Sequence, residues 1–138
     1  MSQALQPILI AEDDEILGRL ALRQLAALGY TAQLTTSGKE AVQLASEQAF
    51  SLILMDVHMP LMDGLEAAKT IRQHEQDSHT GHVPILAITA DLTANRQECL
   101  AAGFDDFVFR PVTTDRMREL LLFWLSPHGG DDTNVQNG

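Results

Sequence analysis

Short unbroken apolar runs alternate along this chain with longer stretches in which apolar residues recur at helical spacing. Ile8-Leu9-Ile10-Ala11, Ser51 to Met55, Val83 to Ile88 and Phe107-Val108-Phe109 are such runs, each bounded by polar or turn residues. Aliphatic and β-branched runs of this length read as strands buried on both faces. Thr31 to Thr35 adds a short strand, second in chain order. After the first strand, Ile16, Leu17, Leu20, Ala21, Leu25 and Leu28 mark one face of a helix that Gly29 closes. Ser37-Gly38-Lys39-Glu40 matches a capping box and opens a second helix, with Ala41, Val42, Leu44 and Ala45 facing inward. The third strand ends at Asp56, and Met59-Pro60 with Met62-Asp63-Gly64 marks a loop. Leu65, Ala68, Ile71 and Arg72 place a third helix, and the polar stretch Gln76 to His82 is expected to be a mobile connection. A fourth strand over Val83 to Thr89 leads to a helix over 91–102, stopped by Gly103. The fifth strand covers Phe107 to Arg110, and the last helix Thr113 to Leu125.

This alternation implies a five-stranded parallel sheet with helices on both faces. Right-handed crossovers leave few topologies, and the doubly wound, flavodoxin-like order 2-1-3-4-5 is the natural one. Residues 1–6 then form an N-terminal extension, 7–125 one domain, and 126–138 a tail expected to be disordered. There is no internal repeat.

In a parallel sheet all strand C-termini lie along one edge, where open α/β folds bind ligands. Glu12, Asp13, Asp56, Thr89 and Arg110 each sit at the end of an apolar run. Acids, one hydroxyl and one cation converging on that edge describe a place for a divalent metal and a phosphoryl group.

Composition narrows the function classes. The chain has 138 residues, 45% of them hydrophobic, enough for one domain with a real core. Its 19 acids against 9 bases give a net charge of -10. That argues against nucleic-acid binding, which needs clustered Lys and Arg, and equally against binding an anionic membrane. No stretch approaches the roughly 18 apolar residues of a membrane span, and residues 1–7 lack the pattern of a signal peptide. The lone Cys99 excludes an internal disulfide and fits a reducing cytoplasm. It falls on a helical pattern as a small core residue.

The pair Glu12-Asp13, the stretch Asp56-Val57-His58-Met59-Pro60 with Met62-Asp63-Gly64, Thr89-Ala90 and Arg110-Pro111, in this order, resemble the receiver domain of two-component response regulators. The resemblance covers about residues 7 to 125. The run from Asp56 to Ala67, together with Ala102-Gly103-Phe104-Asp105-Asp106-Phe107, is most similar to receivers fused to hybrid sensor histidine kinases. It implies Asp56 as phosphoacceptor, with the phosphoryl group coming from a sensor histidine kinase or a histidine phosphotransfer domain. It also implies a magnesium (or manganese) ion held directly by Asp13 and Asp56, through water by Glu12, and by the main-chain carbonyl of His58. Such hard cations take oxygen ligands, and charge neutralisation is what phosphoryl transfer needs. Without metal these acids repel one another, so divalent binding is expected to stabilise the fold. Thr89 would bond a phosphoryl oxygen, and Phe107 would rotate into the space vacated. The face made by the fourth helix, fifth strand and fifth helix would then change shape, a surface that also suits a homodimer contact. A receiver acts on no substrate beyond its own phosphorylation and dephosphorylation.

One residue departs from the family pattern: Arg110 stands where lysine is usual, and the exchange is not conservative at a crowded anion site. Arg110 either pairs with phosphate or is held by a neighbouring acid. The second case motivates an alternative, a degenerate receiver acting as a phosphorylation-independent interaction module. A hydrolase working through an aspartyl-phosphate is disfavoured, because the residue two after Asp56 is His58 rather than an acid.

Simpler roles stand beside these. Asp14 is a helix cap in preference to a ligand, and Asp63-Gly64 a turn before a helix. The histidines lack metal-ligand spacing, although His58 flanks Asp56 and Asp91 lies two after Thr89, so both are candidate modulators of water access. Leu121 to Leu125 is too continuous for one amphipathic face, so part of it is expected to be exposed or to serve a partner. With only residues 126–138 after the last helix, output is expected to be protein contact, phosphate relay, or a task of a longer parent polypeptide.

Overall fold

In the computed structural model, residues 5–59, 61–90 and 95–126 are described. The strands are β1 (Ile8–Ala11), β2 (Ala32–Thr35), β3 (Leu52–Asp56), β4 (Ile85–Thr89) and β5 (Asp106–Phe109). The helices are α1 (Glu15–Ala27), α2 (Gly38–Glu47), α3 (Gly64–Ser78), α4 (Arg96–Ala102) and α5 (Thr114–Leu125). All pairings are parallel and the order is β2-β1-β3-β4-β5, the doubly wound sheet expected from the alternation.

The sheet divides the core in two. Leu9, Ile53, Met55, Ile85 and Ala87 pack under α2, α3 and α4 through Ala41, Ala67, Ala68, Ile71, Cys99 and Ala102. Ile8, Ile10, Leu52, Leu54 and Leu86 pack under α1 and α5 through Leu25, Met117, Leu120 and Leu121. Successive strand residues point to opposite faces, so an unbroken apolar run serves both layers. In α5 the apolar block splits: Leu120 and Leu121 are buried, whereas Leu122 and Phe123 are exposed.

Each helix start is held by a local side chain. Asp14, Ser37, Asp63, Asn95 and Thr113 accept from the main-chain N–H three residues on, which satisfies a donor that has no partner within the helix. Glu40 reaches back to the Thr36 N–H at 3.3 Å and also bonds the Thr35 hydroxyl. These two bonds draw its carboxyl below the usual range, the Thr35 hydroxyl most.

Boundaries of β2, β5 and α5 differ from the sequence reading by one residue, and three others by more. Helix α3 runs through Gln76 to Ser78 and ends at His79, which has left-handed backbone angles. Its exposed polar residues support one another along the helix, as in the 3.0 Å Gln73–Asp77 bond. Strand β4 begins at Ile85 and not Val83, because Pro84 has no N–H to pair and the Val83 N–H is taken by the Glu75 carboxylate at 2.8 Å. Helix α4 begins at Arg96 with Asn95 as its cap; residues 91–94, including Asp91, lie outside the described residues. The tail from 127 and residues 1–4 also lie outside them. No helix among the described residues is long and apolar enough to cross a membrane.

Candidate functional site

The sheet register assembles the site. Ala11 stands opposite Met55, so the next residues, Glu12 and Asp56, emerge side by side at the C-terminal edge. Asp56 stands opposite Ile88, which sets Thr89 one step beyond it. Thr89 in turn stands opposite Phe109, and the Arg110 N–H donates to the Thr89 carbonyl at 2.8 Å. Four chain segments far apart in sequence therefore deliver Glu12, Asp13, Asp56, Thr89 and Arg110 to one cleft, as the apolar pattern implied. A cis peptide joins Arg110 to Pro111.

Glu12, Asp13 and Asp56 each offer a carboxylate oxygen, and these oxygens lie within 4.8 Å of one another. Their burial differs. Glu12 is 2% exposed, Asp56 is half-buried and Asp13 is open to solvent. Asp56 Oδ1 accepts from the His58 N–H at 3.1 Å, and its Oδ2 is 3.6 Å from Arg110 Nη1. Glu12 Oε2 accepts from the Asp14 N–H at 2.9 Å, and its Oε1 is hydrogen-bonded by Arg110 Nη2. Burial pushes the Glu12 carboxyl up to about 7, against the Asp14 N–H and Arg110, which favour its charged form. The neighbouring Asp56 and Asp13 charges add to the rise. An all-oxygen group of clustered acids, one of them solvent-facing, fits a hard divalent cation that retains waters.

The remaining sequence candidates fall as follows. Thr89 is buried beside Asp56 in the sheet edge. Phe107 is buried and meets the exposed Phe109 edge-to-face at 5.1 Å. The His58 side chain is exposed, while its main chain is tied to Asp56. Asp14 is a helix cap, as its position suggested, and Asp63, expected as part of a turn, caps α3. The sequence marks Gly64 as a turn residue alone and gives no sign of its close approach to the end of β3. A Cβ there would overlap the Asp56 carbonyl oxygen and lie 2.9 Å from Val57 Cα. The Asp-Gly pair signals a turn, and nothing in it announces how near the loop passes to β3.

Comparison with known proteins agrees with this geometry. Residues 8–122 match the family model described as the response regulator receiver domain. The chain is 36% identical over 137 residues to the hybrid signal transduction protein dokA of Dictyostelium discoideum, covering 99% of this chain and 8% of that protein. It spans 5% to 15% of the length of the curated relatives it matches. Among solved structures, the receiver domain of sensor histidine kinase PA1611 from Pseudomonas aeruginosa PAO1, with a magnesium ion coordinated in its active-site cleft, superposes with a TM-score of 0.79. It shares 35% identity, over 88% of this chain and 98% of that one. The receiver domain of Ssk1 from Saccharomyces cerevisiae, in co-crystal with the histidine phosphotransfer protein Ypd1, superposes with a TM-score of 0.81 at 27% identity, over 90% and 91% of the two chains. With the matching family model, the parallel sheet and the carboxylate cluster in agreement, this chain belongs to the response regulator receiver domain family, a phosphoaccepting domain rather than an enzyme acting on other substrates.

Proposed function

We propose that Asp56 takes a phosphoryl group from a phosphohistidine on a sensor histidine kinase or a histidine phosphotransfer domain, and that this changes the face formed by α4, β5 and α5. The observation that carries the reading is the place of the Asp56 carboxylate. It ends β3, the middle strand of the sheet, with Glu12 and Asp13 oxygens within 4.8 Å and Arg110 at 3.6 Å. An Asp56 oxygen attacks phosphorus in line with the P–N bond of the donor. That bond breaks, its electron pair leaves with the imidazole, and the carboxylate becomes an acyl phosphate. Bound magnesium, or manganese, supplies charge neutralisation for the phosphoryl oxygens. Asp13 and Asp56 would hold it directly and Glu12 through water, with the His58 main-chain carbonyl completing the protein's share. The Thr89 hydroxyl and the Arg110 guanidinium bond the phosphoryl oxygens, and Phe107 follows Thr89. His58, exposed two residues after Asp56, and Asp91, two residues after Thr89 in sequence, are the candidate modulators of water access.

The relatives support the partner assignment: many are hybrid kinases, and one structural neighbour is held by a phosphotransfer protein. The rim of the cleft suits such a partner. Ile16 and Leu61 are 78% and 85% exposed, and an apolar groove of about 380 Å³ runs between α1 and the start of α5, past Leu20 and Pro111. Exposed Leu100 and Phe109 on α4 and β5 are the homodimer candidates on the switching face. The domain, residues 7–125, works in the cytoplasm, where its kinase donors hold their phosphohistidine.

Intact-protein mass analysis after incubation with magnesium and acetyl phosphate tests the reading. A phosphate-sized gain in wild type and none in Asp56→Asn is expected; a gain that persists in Asp56→Asn removes Asp56 from the role. The hydrogen bond between Arg110 and Glu12 favours a second reading, a module that binds partners without phosphate. Failure of wild type to bind beryllofluoride would select it.

A further inference from the structure

The first turn of α2 reaches toward the acid cluster along two paths. Glu40 Oε1 accepts from the Thr35 hydroxyl and, at 3.3 Å, from the Thr36 N–H. Thr35 is the buried last residue of β2, and its carbonyl accepts the Glu12 N–H at 2.9 Å. Two bonds in series therefore run from the Glu40 carboxylate to the main chain of Glu12. Gly38 opens the second path. Its backbone lies so close to the loop between β3 and α3 that a Cβ there would overlap the Met62 carbonyl oxygen and stand 3.3 Å from Ala67 Cβ. The Met62 side chain packs on the core, so the loop cannot retreat without disturbing it. That loop leaves Asp56, carries His58, and is closed where the Gly64 N–H donates to the Val57 carbonyl at 2.8 Å. Neither path passes through the hydroxyl of Ser37, which caps the same turn by accepting the Glu40 N–H at 3.1 Å.

We propose that this turn is a positioning element for the acid cluster. Glu40, acting through Thr35, fixes the main chain from which the Glu12 carboxylate projects. Gly38, by admitting the Met62 carbonyl, seats the loop whose His58 N–H donates to Asp56. Glu12 and His58 follow different strands, β1 and β3, and one helix turn sets both relative to Asp13 and Asp56. Groups outside a ligand set that hold the ligands in place change metal affinity without touching the ion. Glu40, Thr35 and Gly38 are therefore positioning residues. The proposal rests on the reading of the cluster as a magnesium site beside the phosphoacceptor.

Isothermal titration of Mg2+ into wild type, Thr35→Val, Thr35→Ser, Gly38→Ala and Ser37→Ala, beside hydrogen exchange at the Glu12 amide, tests it. Thr35→Val removes the hydroxyl without changing charge or size. It is expected to weaken Mg2+ binding about tenfold, the low end for groups that orient metal ligands, and to speed exchange at the Glu12 amide severalfold. Thr35→Ser restores the hydroxyl and should restore both. Gly38→Ala should weaken Mg2+ binding through the loop, with Glu12 exchange unchanged. Ser37→Ala loses the cap and some stability, yet should bind Mg2+ like wild type. Wild-type Mg2+ affinity in folded Thr35→Val overturns the proposal, and so does an equal loss of affinity in Ser37→Ala. Thr35→Val decides the matter even if Gly38→Ala fails to fold. With wild type still labelled by acetyl phosphate, either of those results leaves the phosphoacceptor assignment standing. No Mg2+ binding and no labelling in wild type overturns both.

Discussion

The Arg72 guanidinium meets the Asp105 carboxylate at 2.7 Å, at the end of the sheet opposite Asp56. Arg72 also donates to the Gly103 and Val83 carbonyls at 2.9 and 2.8 Å and pairs with Glu75 at 2.8 Å. Asp105 accepts in addition from the Ile85 N–H and from His82, both at 2.8 Å. One side chain from α3 therefore ties together the entries to β4 and β5. Arg72→Met should cost about 3–5 kcal/mol, because it leaves two largely buried carboxylates without their cation. Urea unfolding checks this, and a loss below 1 kcal/mol would show the network to be ornamental.

Gly64 seats the loop after Asp56. Gly64→Ala adds a Cβ that overlaps the Asp56 carbonyl, so the loop or the end of β3 has to move. Acetyl phosphate labelling should slow at least about tenfold, since small displacements of reacting groups cost rates of that order. Circular dichroism should stay native.

Magnesium binding should depend on pH through Glu12. Its carboxyl is raised from 4.5 to about 7 in the fold, chiefly by burial. A raised acid pKa contributes stability that is fully present below 4.5 and is lost as pH rises through 7. The metal-free protein should therefore lose thermal stability across that window. Metal affinity should move oppositely, gaining up to about tenfold per pH unit below 7 as Glu12 gives up its proton. Melting curves and Mg2+ titrations from pH 5 to 8 read both, and a flat Mg2+ affinity would remove Glu12 from the metal's surroundings.

Thr89→Ala should separate labelling from switching. Thr89 is buried one step beyond the Asp56 pairing, and Phe107, buried in the adjacent strand, stands opposite Ala87, two residues before Thr89. Asp56 should still be labelled, while phosphorylation-dependent amide shifts in α4 and β5 should shrink severalfold. Full retention of those shifts would exclude Thr89 from the coupling.

The Ser37 cap is a local test of the fold. Its Oγ accepts the Glu40 N–H at 3.1 Å. Ser37→Ala should destabilise by about 1 kcal/mol without changing labelling. Chemical denaturation beside the mass assay measures both.

Much of this architecture was legible beforehand because it rests on local rules. Ile8 to Ala11 and Leu52 to Met55 carry apolar residues without interruption, and only a strand buried on both faces uses such a run well. Ser37 announced its helix through the donor it satisfies. The length of α3 was not legible, because Gln73 and Asp77 stabilise it by a bond that exists only once the helix has formed. The start of β4 was missed for a related reason: the Glu75 carboxylate captures the Val83 N–H from a different element.

By itself the sequence determined the order of strands and helices and the residue at each strand end, since periodicity and turn chemistry act over a few neighbours. That placed Glu12, Asp13, Asp56, Thr89 and Arg110 on one edge. Only the tertiary structure decided which of them touch. Arg110 could have reached either acid; the register of β1 against β3 and the burial of Glu12 put its guanidinium on Glu12, with Asp56 at 3.6 Å. Arg72 likewise found Asp105 across 33 residues because α3 and the entry to β5 pack together. Partner choice among charged side chains depends on distances of a few ångströms between segments remote in sequence, which no local pattern encodes.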